Sequence, residues 1–321
     1  MTQIRVELPE ALTSMPVKAF LTQHEGISST QWKRIKHSCT FRVGGILCNA
    51  ARTEVRTGDI ITFDIVRPSD IEPEDLPLDI RYEDDYLLIV NKPAGQLVHP
   101  TTKEAHGTLG NAVLYWYKAH GEHHAYHPVH RLDRNTSGLV LIAKVPQVQY
   151  KLTPRHGEGK LFHREYLALI EGELTPPEGL IDAPIARALP SIILRKVSPD
   201  GQAARTHYDT VRTDGELSLV HLVLDTGRTH QIRVHLTSED LPLIGDQVYR
   251  GRAPGLTVKV ENELDFHRQA LHASRLGLDH PVTGEYMEWF VPPEDDMIDL
   301  MDELGFGPWN VPVRVFENER L

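Results

Sequence analysis

Cysteine is nearly absent: Cys39 and Cys48 are the only two in 321 residues. Two thiols close to one end cannot brace a chain of this length. A disulfide-built secreted scaffold is therefore excluded, and a reducing cytoplasm is the expected setting. Long apolar runs are missing as well. No stretch approaches the roughly 20 consecutive apolar residues that a membrane-spanning helix needs, and residues 1–7 carry charge where a secretory signal would need an apolar run. No membrane association is expected. Cations are also scarce, with 34 Lys and Arg against 45 Asp and Glu, a formal net charge of −11. That balance speaks against a polyanionic partner, but the distribution qualifies it. Acids crowd residues 70–75 and 294–303, whereas Lys144, Lys151, Arg155, Lys160 and Arg164 follow one another with Glu158 alone intervening. Affinity for phosphate depends on such a local face rather than on the sum.

A chain of this length predicts two domains. Residues 1–67 read as a small mixed module. A helix is predicted around Val17-Lys18-Ala19-Phe20-Leu21, and Ser28, Ser29 and Thr30 suit the N-cap of a second one carrying Trp32, Lys33, Arg34 and Lys36. That basic stretch is either a binding face or an ordinary solvated one. Short strands follow at 41–43, 46–48 and 60–65, with Gly44-Gly45 and Thr57-Gly58-Asp59 as turns. Residues 68–77, with Pro68, Pro73 and Pro77 among acids, read as a linker. From residue 78 to 295 the chain is strand-rich, with strand candidates at 86–90, 139–143, 166–170, 206–211 and 217–224, and a hairpin over 272–290 turning at 281–284. Helical patterns are confined chiefly to 107–119 and 228–238. Regular strand–helix alternation is missing, so the expected class is α+β with a mixed, largely antiparallel sheet. Residues 296–321 read as an acidic C-terminal tail.

The segment His130-Arg131-Leu132-Asp133-Arg134-Asn135-Thr136-Ser137-Gly138 sets one carboxylate between two guanidinium groups, just ahead of an apolar strand. Nearby positive charge favours the ionised form of Asp133, and an ionised, positioned Asp serves as nucleophile or base. The same arginines suit phosphates, and a turn-capping Asp is the plain alternative. Three further segments hold polar residues at strand ends: 91–95 with His99-Pro100, Arg164-Glu165-Tyr166, and 227–235. His120, His123, His124, His127 and His130 raise the question of a metal, since His123 and His127 are spaced i, i+4. Gly121 and Pro128 bound that stretch and only Glu122 lies close by, so no metal site is expected.

Taken together, VNKPAG (90–95), HRLDRNTSGL (130–139), REYLAL (164–169), TGRTHQIRVH (226–235) and LHA (271–273) closely resemble the RluA-type family of RNA pseudouridine synthases, over roughly residues 78–295. The N-terminal module resembles the small RNA-binding fold called S-four. The resemblance implies Asp133 as the catalytic aspartate and Tyr166 as the aromatic that stacks on the target base and is a candidate to move a proton. It implies Arg228 as the guanidinium paired with Asp133. Arg131, Arg134, Lys92 and Arg164, with Lys33, Arg34 and Lys36, are the expected RNA contacts. Isomerising uridine gains and loses no atom, so no cofactor is expected. The target must leave its stack to be reached. Ribosomal RNA is the expected substrate, transfer RNA the runner-up, and a monomer the expected state. A catalytically inactive RNA-binding protein is the rival reading, with a metal-dependent enzyme built on the histidines behind it.

Overall fold

The computed structural model describes residues 2–8, 14–25, 27, 32, 41–65, 71–153, 162–191, 193–251 and 255–307. The chain divides into two compact units, one of residues 1–89, 98–129 and 141–159, the other of residues 90–97, 130–140 and 160–321.

The first unit opens with β1 (Thr2–Glu7), β2 (Met15–Pro16), α1 (Val17–Gln23), β3 (Phe41–Val43), β4 (Ile46–Leu47), β5 (Glu54–Val55) and β6 (Ile60–Ile65). Four of these make an antiparallel sheet in the order β1-β6-β3-β4. Gly44 and Gly45, both at positive φ, close the β3–β4 hairpin, a conformation that costs glycine least. Val17, Phe20 and Leu21 of α1 pack with Phe41, Ile61, Phe63, Ile27 and Trp32 into a core drawn wholly from residues 6–63. Trp32 thus faces inward, while Lys33, Arg34 and Lys36 lie outside the described residues. The unit continues with β7 (Asp79–Glu83), the first half of β8 (Leu87–Lys92), α2 (Leu109–Ala119), β9 (His127–Pro128), the end of β10 (Ser137–Ala143), whose residues 137–140 belong to the second unit, and α3 (Pro146–Leu152). Helix α2 begins two residues later than Gly107 because Thr108 is its N-cap, and the Thr108 and Asn111 side chains satisfy each other's backbone N–H groups.

The second unit contains β11 (Phe162–Glu171), β12 (Glu178–Asp182), β13 (Ile185–Arg187), β14 (Arg195–Val197), β15 (Arg205–Thr213), β16 (Leu217–Leu224), α4 (Gln231–Ser238), α5 (Gly255–Glu263), β17 (Leu271–Asp279), β18 (Tyr286–Phe290) and α6 (Asp295–Glu303). Its sheet runs β12-β15-β16-β11-β17-β10, with β18 also on β17. All these pairings are antiparallel except β10 with β17. The α+β class with a mixed, mostly antiparallel sheet is what the structure has. Strand β11 lies between two partners and is buried along nearly its whole length, which is why Tyr166-Leu167-Ala168-Leu169-Ile170 reads as an unbroken apolar run rather than an alternation. The supposed tail differs from expectation. Met297, Leu300 and Met301 of α6, with Phe306, pack against Leu167, Leu169, Leu217 and Leu219. Asp295, Asp299, Asp302 and Glu303 lie on the solvent face of this amphipathic helix, and each buried apolar side chain contributes about 1.5–3 kcal/mol.

Strand β17 joins two parts of the site. Along one edge it pairs with β11, and the register slips between Glu165 and Leu167, beside Tyr166; such bulges re-aim side chains. Along the other edge Ser137 and Gly138 pair with His272 and Ala273. Gly138 sits at φ 110°, and a Cβ there would lie 2.2 Å from the Ala273 carbonyl oxygen, so only glycine lets the strands meet. His272 is fully buried; its Nε2–H donates to the Val291 carbonyl (3.2 Å), leaving Nδ1 to accept from the Ser137 hydroxyl (2.9 Å). Burial drives its pKa down to about 4. Because the unfolded chain takes up this proton near pH 6.5 and the folded one near 4, stability is whole above 6.5 and falls as the pH drops through that window, by about 3 kcal/mol in full. Urea unfolding at pH 7.5 and 5 measures the slope. His272→Gln should flatten it, and an unchanged slope would mean that His272 titrates normally.

Candidate active site

Asp133 lies in the loop between β9 and β10, where the buried Leu132 anchors the chain and the Thr136 N–H donates to the Asp133 carbonyl (3.2 Å). Its side chain keeps 17% of its surface exposed. One carboxylate oxygen, Oδ2, accepts from Nη1 of Arg233 at 3.0 Å. The other, Oδ1, faces Nε2 of His230 at 3.9 Å, beyond hydrogen-bond distance. Arg233 is itself gripped from behind. Its Nε and Nη2 donate to the two oxygens of Asp246 at 2.7 and 2.9 Å, a two-pronged pair in which Asp246 is 0% exposed. Asp246 also accepts from the Val248 and Tyr249 N–H groups, and the guanidinium stands 4.9 Å over the Tyr249 ring. Burial opposes the charge on Arg233, but Asp246 and Asp133 outweigh it and raise its pKa above the ordinary arginine value. A permanent cation with a fixed fork thus orients one oxygen of Asp133 and leaves the other open, which suits a nucleophile or base.

Tyr166 of β11 is 3% exposed. The Arg164 guanidinium, two residues earlier on the same strand, acts on its hydroxyl, and the Asp133 charge reaches it too. Burial first and Asp133 second push the phenol pKa up, against Arg164. The phenol therefore keeps its proton at neutral pH. Arg164 packs against Gly227, where a Cβ would stand 2.9 Å from Nη2. Arg164 is buried and belongs with Tyr166 rather than on an open phosphate-binding face.

Two other expectations need correction. The guanidinium on Asp133 belongs to Arg233, not Arg228. Arg228 precedes α4 and is exposed; its Nε donates to the Ala203 carbonyl at 2.9 Å and its N–H to Gln231. Five residues further on, the helix turns Arg233 inward between the buried Ile232 and Val234. Nor does Lys92 present its charge to RNA. It is 0% exposed, and Nζ donates to the carbonyls of Pro93 (2.6 Å), Gln96 (2.9 Å) and Arg134 (3.1 Å). Burial pulls the ammonium down to about 7; Glu294 and Asp133 nearby, with the three carbonyls, favour the charged form. Lys92 is a staple between two loops. Lys92→Met would strand three carbonyls at about 1–3 kcal/mol each, so the urea midpoint should fall clearly, and a midpoint within error of wild type would remove the staple role.

Arg131 and Arg134 are exposed beside the aspartate; the Arg134 Nη1 reaches the Gly95 carbonyl at 3.4 Å. Of the basic run 151–164, residues 154–161 lie outside the described residues. Residues not anticipated complete the setting: Glu294 accepts from the Ala94 N–H, and Arg268 donates to both oxygens of Asp296 (2.6 Å each). Among the described residues, no group of three His, Cys, Asp or Glu side chains is arranged to hold a metal ion, and no helix is long and apolar enough to cross a membrane.

Residues 86–238 match the family described as RNA pseudouridylate synthase. The ribosomal large subunit pseudouridine synthase D of Pasteurella multocida is 42% identical over 82% of this chain and 82% of its own length. An uncharacterized RNA pseudouridine synthase of Bacillus subtilis, YlyB, is 35% identical over 95% of this chain and 99% of its own. Among solved structures, human RNA pseudouridylate synthase domain containing 4 superimposes with a TM-score of 0.55 at 25% identity, covering 71% of this chain and 93% of that one. With the motifs around Asp133, Tyr166 and Arg233 gathered in one unit, the chain belongs to the RluA-type family of RNA pseudouridine synthases.

Proposed function

We propose that the protein converts specific uridines of large-subunit ribosomal RNA to pseudouridine, with Asp133 acting on a nucleotide turned out of its stack. The observation that carries this reading is the half-engaged carboxylate: one oxygen on Arg233, the other open. The reaction breaks the bond from nitrogen 1 of uracil to the sugar, turns the ring and rejoins it through carbon 5. It needs a charged carboxylate at the reacting sugar or base and a donor to hold the detached uracil. Tyr166, a buried phenol that keeps its proton, supplies the donor. Its ring shows little surface, so stacking requires a neighbour to give way when RNA enters. Arg131 and Arg134, exposed on the same loop, are placed to take the backbone phosphates. The large-subunit assignment rests on the name of the 42% identical Pasteurella relative.

Residues 1–67, whose core is self-contained, form in this reading the RNA-binding module, joined by 68–77 to a catalytic domain over 78–295. The protein works as a cytoplasmic monomer. Converting Lys33, Arg34 and Lys36 together to Glu in the full chain should weaken RNA affinity about tenfold or more at physiological salt. The rate at saturating RNA should stay unchanged. An unaltered affinity would reject the module. The function itself is tested by tritium release from RNA labelled at carbon 5 of uridine, and by mapping pseudouridines in cells lacking the gene. Released label with the lost sites in large-subunit RNA supports the reading, lost sites in transfer RNA reassign the substrate, and no release makes the protein a passive binder.

A further inference from the structure

His230 is the residue whose placement the reading above leaves unexplained. Its backbone is left-handed (φ 58°, ψ 23°) at the start of α4, a region that side-chain-bearing residues enter at a cost. A glycine would sit there without strain. The ring is held from one side only. Nδ1 lies 2.8 Å from the Tyr249 hydroxyl, and that hydroxyl oxygen accepts the Arg195 N–H at 2.9 Å. The other nitrogen, Nε2, points at the oxygen of Asp133 that Arg233 leaves open, 3.9 Å away. A ring N–H facing a carboxylate would close to about 2.8 Å. The wider gap suits two lone pairs, with the ring proton on Nδ1 donated to Tyr249. The Tyr249 ring meets His230 edge-on (5.6 Å, 76°) while Arg233 covers its face. One aromatic therefore positions both partners of Asp133.

We propose that His230 is the proton partner of Asp133, taking up through Nε2 the proton that the carboxylate collects in each turnover. The idea rests on Asp133 being the reacting carboxylate. When carbon 5 has bonded to the sugar, its hydrogen must leave: the C–H electron pair returns to the uracil ring and the proton goes to Asp133, then to His230 Nε2, and finally to solvent. Nitrogen 1, freed of the sugar, takes one proton in exchange, so the inventory balances with no other reactant. Burial, which raises the Tyr166 phenol, makes its phenolate a harder acceptor to form. Burial, with Arg233 and Arg195 assisting and Asp133 and Asp246 opposing, holds the imidazole below its ordinary pKa and hence neutral near pH 7. His230 acts through Asp133 and is a positioning residue in that sense.

The test is single-turnover tritium release from labelled RNA at saturating enzyme, from pH 5.5 to 8.5, in the full-length protein. His230→Gly relieves the backbone and should fold. It should lose about 100-fold in rate, with unchanged RNA affinity and no fall of the residual rate on the acid side, and added imidazole should restore activity. His230→Gln, which fills the space but cannot take a proton, should be equally slow and should not be rescued. A His230→Gln enzyme within threefold of wild type, an acid limb that persists in His230→Gly, or failure of imidazole to rescue it would overturn the proposal. Asp133→Asn run in parallel separates the two levels: activity there sinks the Asp133 reading itself, whereas a dead Asp133→Asn beside a normal His230→Gln sinks only the histidine.

Discussion

Asp133→Asn is expected to lower single-turnover tritium release by on the order of 10⁴-fold, while RNA affinity and unfolding midpoint stay close to wild type. The separation follows from how the charge is held. Removing a buried partner is costly when it leaves its counterion alone. Arg233 would not be left alone, because two of its donors remain on Asp246. The asparagine side-chain oxygen can still accept from Nη1, so the loop keeps its anchor and loses only a negative charge and its reactivity. Asp133→Glu refines the point. It keeps the charge but advances the carboxylate by one methylene, and displacement of about 1 Å costs on the order of 100-fold where approach geometry governs. Asparagine far slower than glutamate identifies the charge as the agent. Equal, modest losses in both would mean that residue 133 only shapes the loop.

The parts of the fold visible in the sequence are those that one segment decides for itself. β11 and β16 are buried on both faces and read as apolar runs; Gly44-Gly45 announces a hairpin. Asp133 and Tyr166 stood out because each sits in a short segment dense in chemistry; Arg164 stood out as an RNA contact, whereas it is buried beside Tyr166. Pairings were not. Choosing between Arg228 and Arg233 depends on where α4 begins, and His230, taking a left-handed backbone without being glycine, moves that start past Arg228. Asp246 gave no local sign: it is a lone acid before Gln247, and its role exists only once the chain folds back on α4. Lys92 misled for a related reason. A lysine beside Pro-Ala-Gly reads as an exposed loop cation, whereas the carbonyls that capture it come partly from Arg134, 42 residues away. The acidic tail misled because charge caught the eye before the spacing of Met297, Leu300 and Met301, which line one face of a helix.

The choice between the two arginines gives the second large effect. Arg233→Lys should lose on the order of 10³-fold in rate, because a point ammonium has no fork with which to hold Asp246 and reach Asp133 at once. Arg233→Met should also unfold more easily, by about 3–5 kcal/mol, since Asp246 would be a fully buried carboxylate with no cation. The Val248 and Tyr249 N–H groups that Asp246 also accepts soften that loss without replacing the charge. Arg228→Ala forfeits an exposed contact to the Ala203 carbonyl and should stay within a few-fold of wild type in rate and within about 0.5 kcal/mol in stability. Urea unfolding with single-turnover assays on the three variants decides the matter. If Arg228→Ala were the crippled enzyme and Arg233→Lys the healthy one, the ion pair at 3.0 Å would be structural only. The catalytic partner of Asp133 would then have to swing in from Arg228 when RNA binds.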